Sequence, residues 1–268
     1  MRLKGEHALV TGANRGIGAA IARALAAEGA DVSLLVRDAA GAEPVAAELR
    51  ATGVRAGIVT ADVTDRAALL RACAAAAEAR GPVTLLVNNA GTVQTVPFLK
   101  VDDAEFARMY AVHLMAPVHA AQAVLPAMLE RGGGAIVNVA SIAGLVGAPY
   151  VAAYVAAKHA MVGLTRALAV EFQAKGIRVN AVCPGYTDTA LVSDAMTRIV
   201  KKTGRSEAEA MALILADAGQ TRLVTPEEVA EAVVRLCDPT SSANGTALPL
   251  LGAEAGAGPS ARGGRERP

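Results

Sequence analysis

Short apolar runs alternate with longer amphipathic stretches along most of the chain, and this alternation predicts strands separated by helices. The apolar runs predict buried strands over 8–11, 31–36, 54–60, 83–87, 134–141, 177–183 and 246–250. The Ala-rich stretches between them predict helices over 19–28, 41–52, 66–80, 102–130, 150–175 and 226–237. Continuously apolar strands are typical of a parallel sheet that is covered on both faces. The pattern therefore predicts an α/β fold.

Two segments depart from this alternation. Residues 186–222 form a looser pattern rich in charged residues and helix formers, including Lys201, Lys202 and Arg205. Because this segment follows the carboxyl end of a strand, where α/β sheets bind ligands, we expect a helical lid over a substrate site. Residues 253–268 are rich in Gly, Ala, Pro and Arg, a composition that predicts a disordered tail.

Composition narrows the classes of function. A length of 268 residues suits one large domain, although two smaller ones would also fit. The net charge of +1 gives no reason to expect nucleic acid or a membrane as a partner. Cys73, Cys183 and Cys237 are odd in number and widely spaced, so they match neither a disulfide framework nor a metal site and fit free thiols in the cytoplasm. The amino terminus has the pattern of neither a signal peptide nor a membrane span.

The stretch SIAGLVGAPYVAAYVAAK, from Ser141 to Lys158, carries the candidate catalytic chemistry. Tyr154 and Lys158 are four residues apart, which on a helix puts their Cβ atoms ~5–6 Å apart on one face. We expect the ammonium to stabilise the phenolate and to lower the tyrosine pKa from ~10 towards neutrality, where a general acid and base works best. The Ser141 hydroxyl is placed to bind a substrate oxygen beside Tyr154. A bare tyrosine–lysine pair is more often a solvated helix face, so the rest of the chain must decide.

A glycine-rich turn, TGANRGIG, lies between the first strand and the first helix. Gly12, Gly16 and Gly18 would let the backbone approach a pyrophosphate, and the free N–H groups of the helix start would favour its charge. A purely structural tight turn would look similar. The glycine spacing, three residues and then one, differs from the usual dinucleotide fingerprint and is informative in itself.

The end of the second strand indicates which dinucleotide is bound. An acidic residue there would favour NAD, whereas the strand ends with Val36 and Arg37. Arg37 and Arg15, from the glycine turn, could together clamp a 2′-phosphate. We therefore predict NADP (NADPH) as the cofactor, with NAD less favoured. The alternative is that both arginines merely solvate the surface.

Two further strand ends carry polar residues. Asp62 follows the third strand, where its carboxylate could accept from an adenine amino group. A helix N-cap is the competing role for Asp62 or Asp65. The fourth strand ends in NNAG, residues 88–91. There asparagine side chains could tie neighbouring strands together while Gly91 admits a ligand closely, so structural and cofactor roles overlap.

TGANRGIG, Asp62, NNAG, Ser141, YxxxK and PGYTDT occur in this order, and over about residues 5–250 the sequence resembles the short-chain dehydrogenase/reductase family. The resemblance implies a single-domain Rossmann-like doubly wound parallel sheet of about seven strands over 1–252, with helices on both faces, a nicotinamide cofactor and usually a homotetramer. It makes Tyr154 the proton donor, Lys158 its pKa modifier and a ribose ligand, and Ser141 the substrate-oxygen anchor. The implied cofactor pocket comprises Gly12, Asn14, Arg15, Gly16, Ile17, Gly18, Arg37, Asp62, Val63, Asn89, Ala90, Gly91, Tyr154, Lys158, Pro184, Gly185, Thr187 and Thr189.

The sequence departs from the family pattern at two places. The long helix of the family usually carries an Asn that kinks it and holds a water relaying protons to the lysine, and His113 occupies that place here. An imidazole can also donate and accept, so His113 is a further catalytic candidate, while a packed core histidine is the competing interpretation. LPLLGAEAG replaces the usual Gly-Gly ending, which leaves open how the carboxyl terminus closes the site or the tetramer.

Softer similarities concern the substrate. AYVAAKHAMVGLT, NAVCPGYTDT and the long lid resemble bacterial 3-hydroxybutyrate dehydrogenases, whereas Arg15 and Arg37 resemble NADP-dependent 3-oxoacyl thioester reductases. In the hydroxybutyrate enzymes a His and a Lys before the tyrosine help to bind the substrate carboxylate, and the corresponding stretch here offers no positive charge. We therefore expect an NADPH-dependent carbonyl reductase of a 3-oxoacyl thioester, on coenzyme A or an acyl carrier. The alternatives are an NAD(P)-dependent dehydrogenase of a small hydroxy acid or secondary alcohol, and a catalytically impaired dinucleotide-binding sensor or scaffold.

Overall fold

Seven parallel strands form one sheet in the computed structural model, which describes residues 1–252. Their order is β3-β2-β1-β4-β5-β6-β7, so the succession of strands reverses between β1 and β4. This order confirms the predicted doubly wound fold, which binds ligands at the carboxyl ends of the strands beside that reversal. The predicted tail, 253–268, lies outside the described residues. The strands are β1 (His7–Thr11), β2 (Asp31–Val36), β3 (Ala56–Thr60), β4 (Leu85–Asn88), β5 (Gly134–Val139), β6 (Ile177–Pro184) and β7 (Ala247–Leu250).

Helices cover both faces of the sheet. One face carries α1 (Gly16–Ala27), α2 (Glu43–Ala51) and α9 (Pro226–Cys237). The other carries α3 (Arg66–Arg80), α5 (Ala116–Arg131) and the end of α6 (Ala152–Phe172). Neighbouring strand residues point into opposite cores, as Leu9 and Val10 do. Burial on both faces explains why the strands are continuously apolar.

The predicted helix over 102–130 is interrupted. A π-helical segment, Ala111–Met115, separates α4 (Asp103–Tyr110) from α5. Pro117 at the start of α5 has no backbone N–H to offer to the carbonyl four residues earlier, that of His113, so the regular α-helical bonding fails there. The side chain of His113 is buried within this segment.

The helix predicted over 150–175 begins later, at Ala152. Tyr150 has a φ of 66°, in the left-handed region, which no other non-glycine residue of the described chain adopts. The backbone N–H of Val96 donates to the Tyr150 carbonyl at 2.7 Å. This bond joins the loop after β4 to the start of α6.

Buried amide side chains fix β4, β5 and α6 relative to one another. Asn88 Nδ2 donates to Asn138 Oδ1 at 2.9 Å, and Asn138 Nδ2 donates to Thr165 Oγ1 at 2.9 Å. Asn138 lies near the end of β5, and Thr165 lies on α6. The ladder therefore holds together the elements that carry Ser141 and Tyr154.

Two helices, α7 (Ala190–Thr203) and α8 (Glu207–Ala218), are inserted between β6 and α9. We call this segment the α7–α8 insertion. The carbonyl of Gly252 accepts hydrogen bonds from the backbone N–H groups of Thr221 and Arg222, at 2.8 Å and 2.9 Å. Gly252, the last described residue of the unusual carboxyl-terminal sequence, is thus anchored at the base of the insertion.

Candidate active site

Ser141, Tyr154 and Lys158 meet at the carboxyl end of β5. Ser141 follows the strand, and α6 carries Tyr154 and Lys158 on consecutive turns. Lys158 Nζ lies 5.7 Å from the centroid of the Tyr154 ring. The Ser141 hydroxyl forms a hydrogen bond with the Tyr154 phenol. The structure thus brings the three sequence-predicted side chains together.

Burial dominates the acidity of the Tyr154 phenol. It raises the pKa of Tyr154 because the phenolate loses its hydration, and the hydrogen bond from Ser141 lowers this pKa only in part. The expectation that Lys158 brings the tyrosine pKa towards neutrality is therefore wrong for the protein alone. The free-energy cost of desolvating the phenolate is larger than the stabilisation that the Lys158 ammonium gives it. This ammonium lies over the ring and is itself poorly solvated.

Lys158 is a buried cation with few partners. Its side chain is 3% exposed, and Nζ donates to the Val139 carbonyl at 2.8 Å and contacts Met161 Sδ at 4.0 Å. Burial lowers the pKa of Lys158 to about 7. The amine therefore exchanges its proton near neutral pH, which suits a group that works beside a proton donor.

His113 packs against this group from the π-helical segment. Its Nε2 lies 2.7 Å from the Thr92 carbonyl, so Nε2 carries the hydrogen and donates it. The ring meets that of Tyr154 edge to face, with centroids 5.2 Å apart. Gly91 leaves room for it, since an added Cβ there would lie 3.0 Å from His113 Cε1.

The protonation of His113 limits what this ring can do. Burial, and then the charge of Lys158, lowers the pKa of His113 to about 3, so the ring is neutral near pH 7. Its one hydrogen is committed to Thr92, and the buried Nδ1 has no hydrogen-bond partner among the described residues. His113 can therefore accept one hydrogen bond at Nδ1, but it has no second hydrogen to donate.

The glycine turn and the start of α1 fit a pyrophosphate. Gly12 and Gly16 have φ values of 67° and 54°, and an added Cβ on Gly18 would overlap the Gly12 carbonyl. Arg15 occupies the N-cap of α1, where no side chain caps the helix and the first turn holds no acidic residue. The amides of the helix start are therefore available to an anion.

Asn89 is tied to the glycine turn. Its Nδ2 donates to the carbonyls of Thr11 and Gly12, at 2.9 Å and 3.2 Å. Thr11 Oγ1 in turn accepts from the backbone N–H groups of Asn89 and Ala90, each at 2.9 Å. Of the two roles that overlap in NNAG, the amide side chain of Asn89 thus performs the structural one and braces the end of β4 against the turn.

The residues predicted to bind the adenosine end lie at the surface. The side chains of Arg15 and Arg37 are exposed. Asp62 Oδ1 accepts from the N–H and the hydroxyl of Thr64, and these bonds, followed by the charge of Arg37, lower the pKa of Asp62. Asp65, not Asp62, caps α3. The N-cap alternative therefore falls on Asp65, and Asp62 lies within electrostatic reach of Arg37.

The residues after β6 approach the glycine turn from the other side. Pro184 and Gly185 end the strand, and the buried Thr187 donates its hydroxyl to the Gly185 carbonyl at 3.1 Å. Thr189 Cγ2 would lie 3.5 Å from a Cβ added to Gly16. The start of the α7–α8 insertion thus faces the predicted pyrophosphate site.

Three other residues predicted to bind the cofactor, Asn14, Ile17 and Val63, are partly buried. The side chains of Ile17 and Val63 are partly buried and pack against the two cores. Asn14 is half-buried, and its amide lies 3.7 Å from a Cβ added to Gly41. Its side chain is therefore placed between the glycine turn and the segment after β2.

Sequence reasoning missed several residues that support the site. Thr11 and Asn138 hold the strand ends in place, and both are polar residues within apolar strands. Cys183, fully buried on β6, accepts a hydrogen bond from the backbone N–H of Ser141, and burial raises the pKa of its thiol to about 11. Thr11 and Asn138 could have been found in the sequence, because each is a polar residue that interrupts an apolar strand.

Tyrosines surround the candidate site. Tyr110 packs with Tyr154 in the cluster between α4 and α6. Tyr186 follows β6 and contributes, after burial, to raising the pKa of Tyr154. Tyr150 lies at the start of α6. Tyr110, Tyr154 and Tyr186 are thus associated with the reacting group, whereas the side chain of Tyr150 is exposed.

A doubly wound sheet, an uncapped helix at a glycine turn and a serine–tyrosine–lysine group define a dinucleotide-dependent oxidoreductase. The arrangement can hold a carbonyl oxygen between Ser141 and Tyr154 and exchange a proton with it. Residues 6–199 match the family model for short chain dehydrogenases. The chain belongs to the short-chain dehydrogenase/reductase family, whose members act on CH–OH groups with NAD(P).

Individual relatives cover nearly the whole chain. The chain is 42% identical over 252 residues to 2-(S)-hydroxypropyl-CoM dehydrogenase 3 of Xanthobacter autotrophicus, covering 94% of this chain and 97% of that one. It is 45% identical over 216 residues to inactive 2-(S)-hydroxypropyl-CoM dehydrogenase 2 of the same organism, covering 81% and 90%. A single-residue variant of actinorhodin polyketide ketoreductase, solved with NADPH, is 38% identical, with a TM-score of 0.87 and coverage of 94% and 97%.

Proposed function

We propose that this protein is an NADPH-dependent carbonyl reductase that converts a 3-oxoacyl thioester to its 3-hydroxyacyl form. Ser141 and Tyr154 bind the ketone oxygen, and the phenol delivers a proton to it. A bound NADPH supplies the hydride that reduces the carbonyl carbon. Lys158 assists the proton donor and binds the ribose.

His113, being neutral, holds the Tyr154 ring and Thr92 in place. His113→Ala should therefore lower kcat without shifting the pH profile.

The proposal of a thioester substrate rests on the uncharged surroundings of the reacting group. Residues 142–151 contain no Lys, Arg or His. Arg108, on α4, is already paired with Glu105 at 2.8 Å and with Gln94 at 2.8 Å. A free carboxylate would therefore find no spare cation among these described residues, and charged groups left without partners in a site are costly. A thioester carries no charge beside its ketone.

Two alternatives have specific support. The similarity to a 2-(S)-hydroxypropyl-CoM dehydrogenase favours an NAD(P)-dependent dehydrogenase of a small hydroxy acid or secondary alcohol. The similarity to an inactive relative, together with His113, favours a catalytically impaired dinucleotide-binding sensor or scaffold. Against the second alternative, Ser141, Tyr154 and Lys158 are all present and lie together in one group.

The surroundings of the site support three further parts of this proposal. The α7–α8 insertion acts as a substrate lid, and its exposed Lys201 can meet the phosphates of coenzyme A or an acidic carrier. Exposed apolar side chains, of which Leu99 and Val170 are 96% and 80% exposed, support a homotetramer, which sedimentation equilibrium would measure. Free, buried Cys73, Cys183 and Cys237 suit a reducing cytoplasm, which fractionation of cells would test.

Steady-state oxidation of NADPH and of NADH tests the proposed reaction. Acetoacetyl coenzyme A, free acetoacetate and a neutral cyclic ketone would be compared as substrates. We expect fast turnover confined to the thioester with NADPH. Turnover of only the acid or the neutral ketone, or a preference for NADH, would favour the dehydrogenase. Binding of NADPH without oxidation by any ketone would favour the sensor.

Arg37→Asp tests the cofactor preference. If Arg37 binds the 2′-phosphate, the loss of one charge-assisted interaction should raise the Kd for NADPH by roughly 10- to 100-fold and change that for NADH far less. Titration of cofactor fluorescence gives both constants. Arg71→Asp, at an exposed position on α3, is the matched control for the change of charge. An equal effect of Arg37→Asp on both cofactors would exclude a phosphate clamp.

A further inference from the structure

A buried amide side chain closes the base of the α7–α8 insertion. Gln220 is 5% exposed, and its Oε1 accepts from the backbone N–H of Tyr186 at 2.7 Å. Its Nε2 donates to the carbonyls of Tyr186 and Arg222, each at 3.1 Å. Both hydrogens of the amide are therefore used on backbone that lies on opposite sides of the insertion.

The chain around Gln220 is shaped to accept it. A Cβ on Gly185 would overlap the Gln220 amide, so a larger residue before Tyr186 would displace this amide. Beyond the amide, Thr187 pairs with Val224 in a parallel bridge, and the backbone N–H of Asp188 donates to the Val224 carbonyl at 2.9 Å. The segment that leads into the insertion and the segment that leads out of it are thus joined over several residues, starting at Gln220.

This junction is connected to the reacting group through Tyr186. The Tyr186 ring packs against Val192 and Met196, which form the small apolar core of the insertion. The residues that follow Tyr186 reach the candidate site, since Thr189 Cγ2 would lie 3.5 Å from a Cβ added to Gly16 in the glycine turn. Tyr186 also adds to the effect of burial, which raises the pKa of the Tyr154 phenol. The segment from Tyr186 to Thr189 therefore joins the insertion to the candidate site.

We propose that Gln220 is a positioning residue that couples the insertion to the active site by fixing the backbone of Tyr186. With Gln220 in place, the insertion and the segment Gly185–Thr189 hold one arrangement over the site. Without it, the insertion keeps its helices but no longer holds Tyr186 and the segment after it in place beside the active site. This inference rests on the proposed location of the active site, but not on the 3-oxoacyl substrate.

Limited proteolysis of the protein without cofactor tests the first half of this proposal. Trypsin cleaves after lysine and arginine, and the insertion presents exposed Lys201 and Arg205. Gln220→Ala should be cut there roughly tenfold faster than the wild type, as expected when one or two hydrogen bonds are lost. Gln220→Glu should behave alike, because a carboxylate keeps the shape but cannot donate to the two carbonyls. Gln173→Ala, at an exposed position, is the matched control.

Kinetics with the best ketone of the panel test the second half. Gln220→Ala and Gln220→Glu should raise KM roughly tenfold while kcat at saturation falls less, because a loosened insertion weakens substrate binding before it affects chemistry. Unchanged cleavage and KM in both variants would overturn the proposal. So would a collapse of the whole fold, seen by circular dichroism, since Gln220 would then serve general stability. The proteolysis result stands even if the 3-oxoacyl substrate proves wrong.

Discussion

Replacing Tyr154 with phenylalanine is expected to lower kcat for ketone reduction by about 100- to 10,000-fold, the contribution that a positioned general acid makes. The substitution removes only the hydroxyl that is hydrogen-bonded to Ser141. The ring remains, and with it the edge-to-face contact with His113 at 5.2 Å. The melting temperature should therefore change little. Single-turnover oxidation of NADPH measures the chemical step directly.

The control for this variant is Tyr110→Phe. Tyr110 packs in the same apolar cluster as Tyr154 but lies on α4 rather than on α6. Its loss of a hydroxyl should leave most of the activity. If Tyr154→Phe also retained most of the reductase activity, the phenol would not be the proton donor and the proposed mechanism would be wrong.

Lys158→Met is expected to lower kcat/KM by about 100-fold or more, because it removes the cation beside the proton donor and the proposed ribose ligand. Methionine preserves the length and most of the volume of the buried side chain, so the core should remain filled. The matched control is Lys175→Met, since Lys175 is exposed in the short 3-10 helix that follows α6. Steady-state kinetics with the best ketone, with NADPH varied, measure the effect.

The same substitution has an opposite effect on stability, and this effect depends on pH. The pKa of Lys158 falls from 10.5 to about 7 on folding because the ammonium is buried. Between these values the unfolded chain binds more protons, so wild-type stability declines as the pH falls from 10.5 and reaches its floor below 7. Each unit of pKa corresponds to about 1.4 kcal/mol.

Lys158→Met removes this dependence. Its melting temperature relative to the wild type should therefore rise as the pH is lowered from about 10 to about 6, although the loss of the bond to the Val139 carbonyl offsets part of the gain. Thermal melts at several pH values measure the difference. A difference that did not change with pH would show that the amine keeps its ordinary pKa in the folded protein.

The sequence predicts much of the fold because its signals are local. Apolar runs and glycine turns placed every strand, and β2 and α3 were predicted to the residue. Tyr154 and Lys158 could be paired from their helical spacing alone. Ser141 could be added because parallel strands end at one edge of the sheet.

The corrections concern effects that depend on contacts between distant parts of the chain. The direction of the Tyr154 pKa depends on burial by surrounding elements, which helical spacing does not reveal. Pro117 was visible in the sequence, but its effect on the bonding around His113 emerges only in the assembled helix. Gln220 lies 34 residues from Tyr186, the backbone that it binds. A contact between residues so far apart produces no periodic pattern in the sequence.

The association of three of its four tyrosines with one site gives the protein an optical property. The chain contains four tyrosines and no tryptophan, so its intrinsic ultraviolet fluorescence comes almost entirely from Tyr110, Tyr150, Tyr154 and Tyr186. A dinucleotide or ketone that enters the site would quench the fluorescence of these rings or accept energy from them, so no attached dye is needed. The emission of the unlabelled protein therefore reports mainly on this site, and it can follow ligand entry in a stopped-flow instrument in real time.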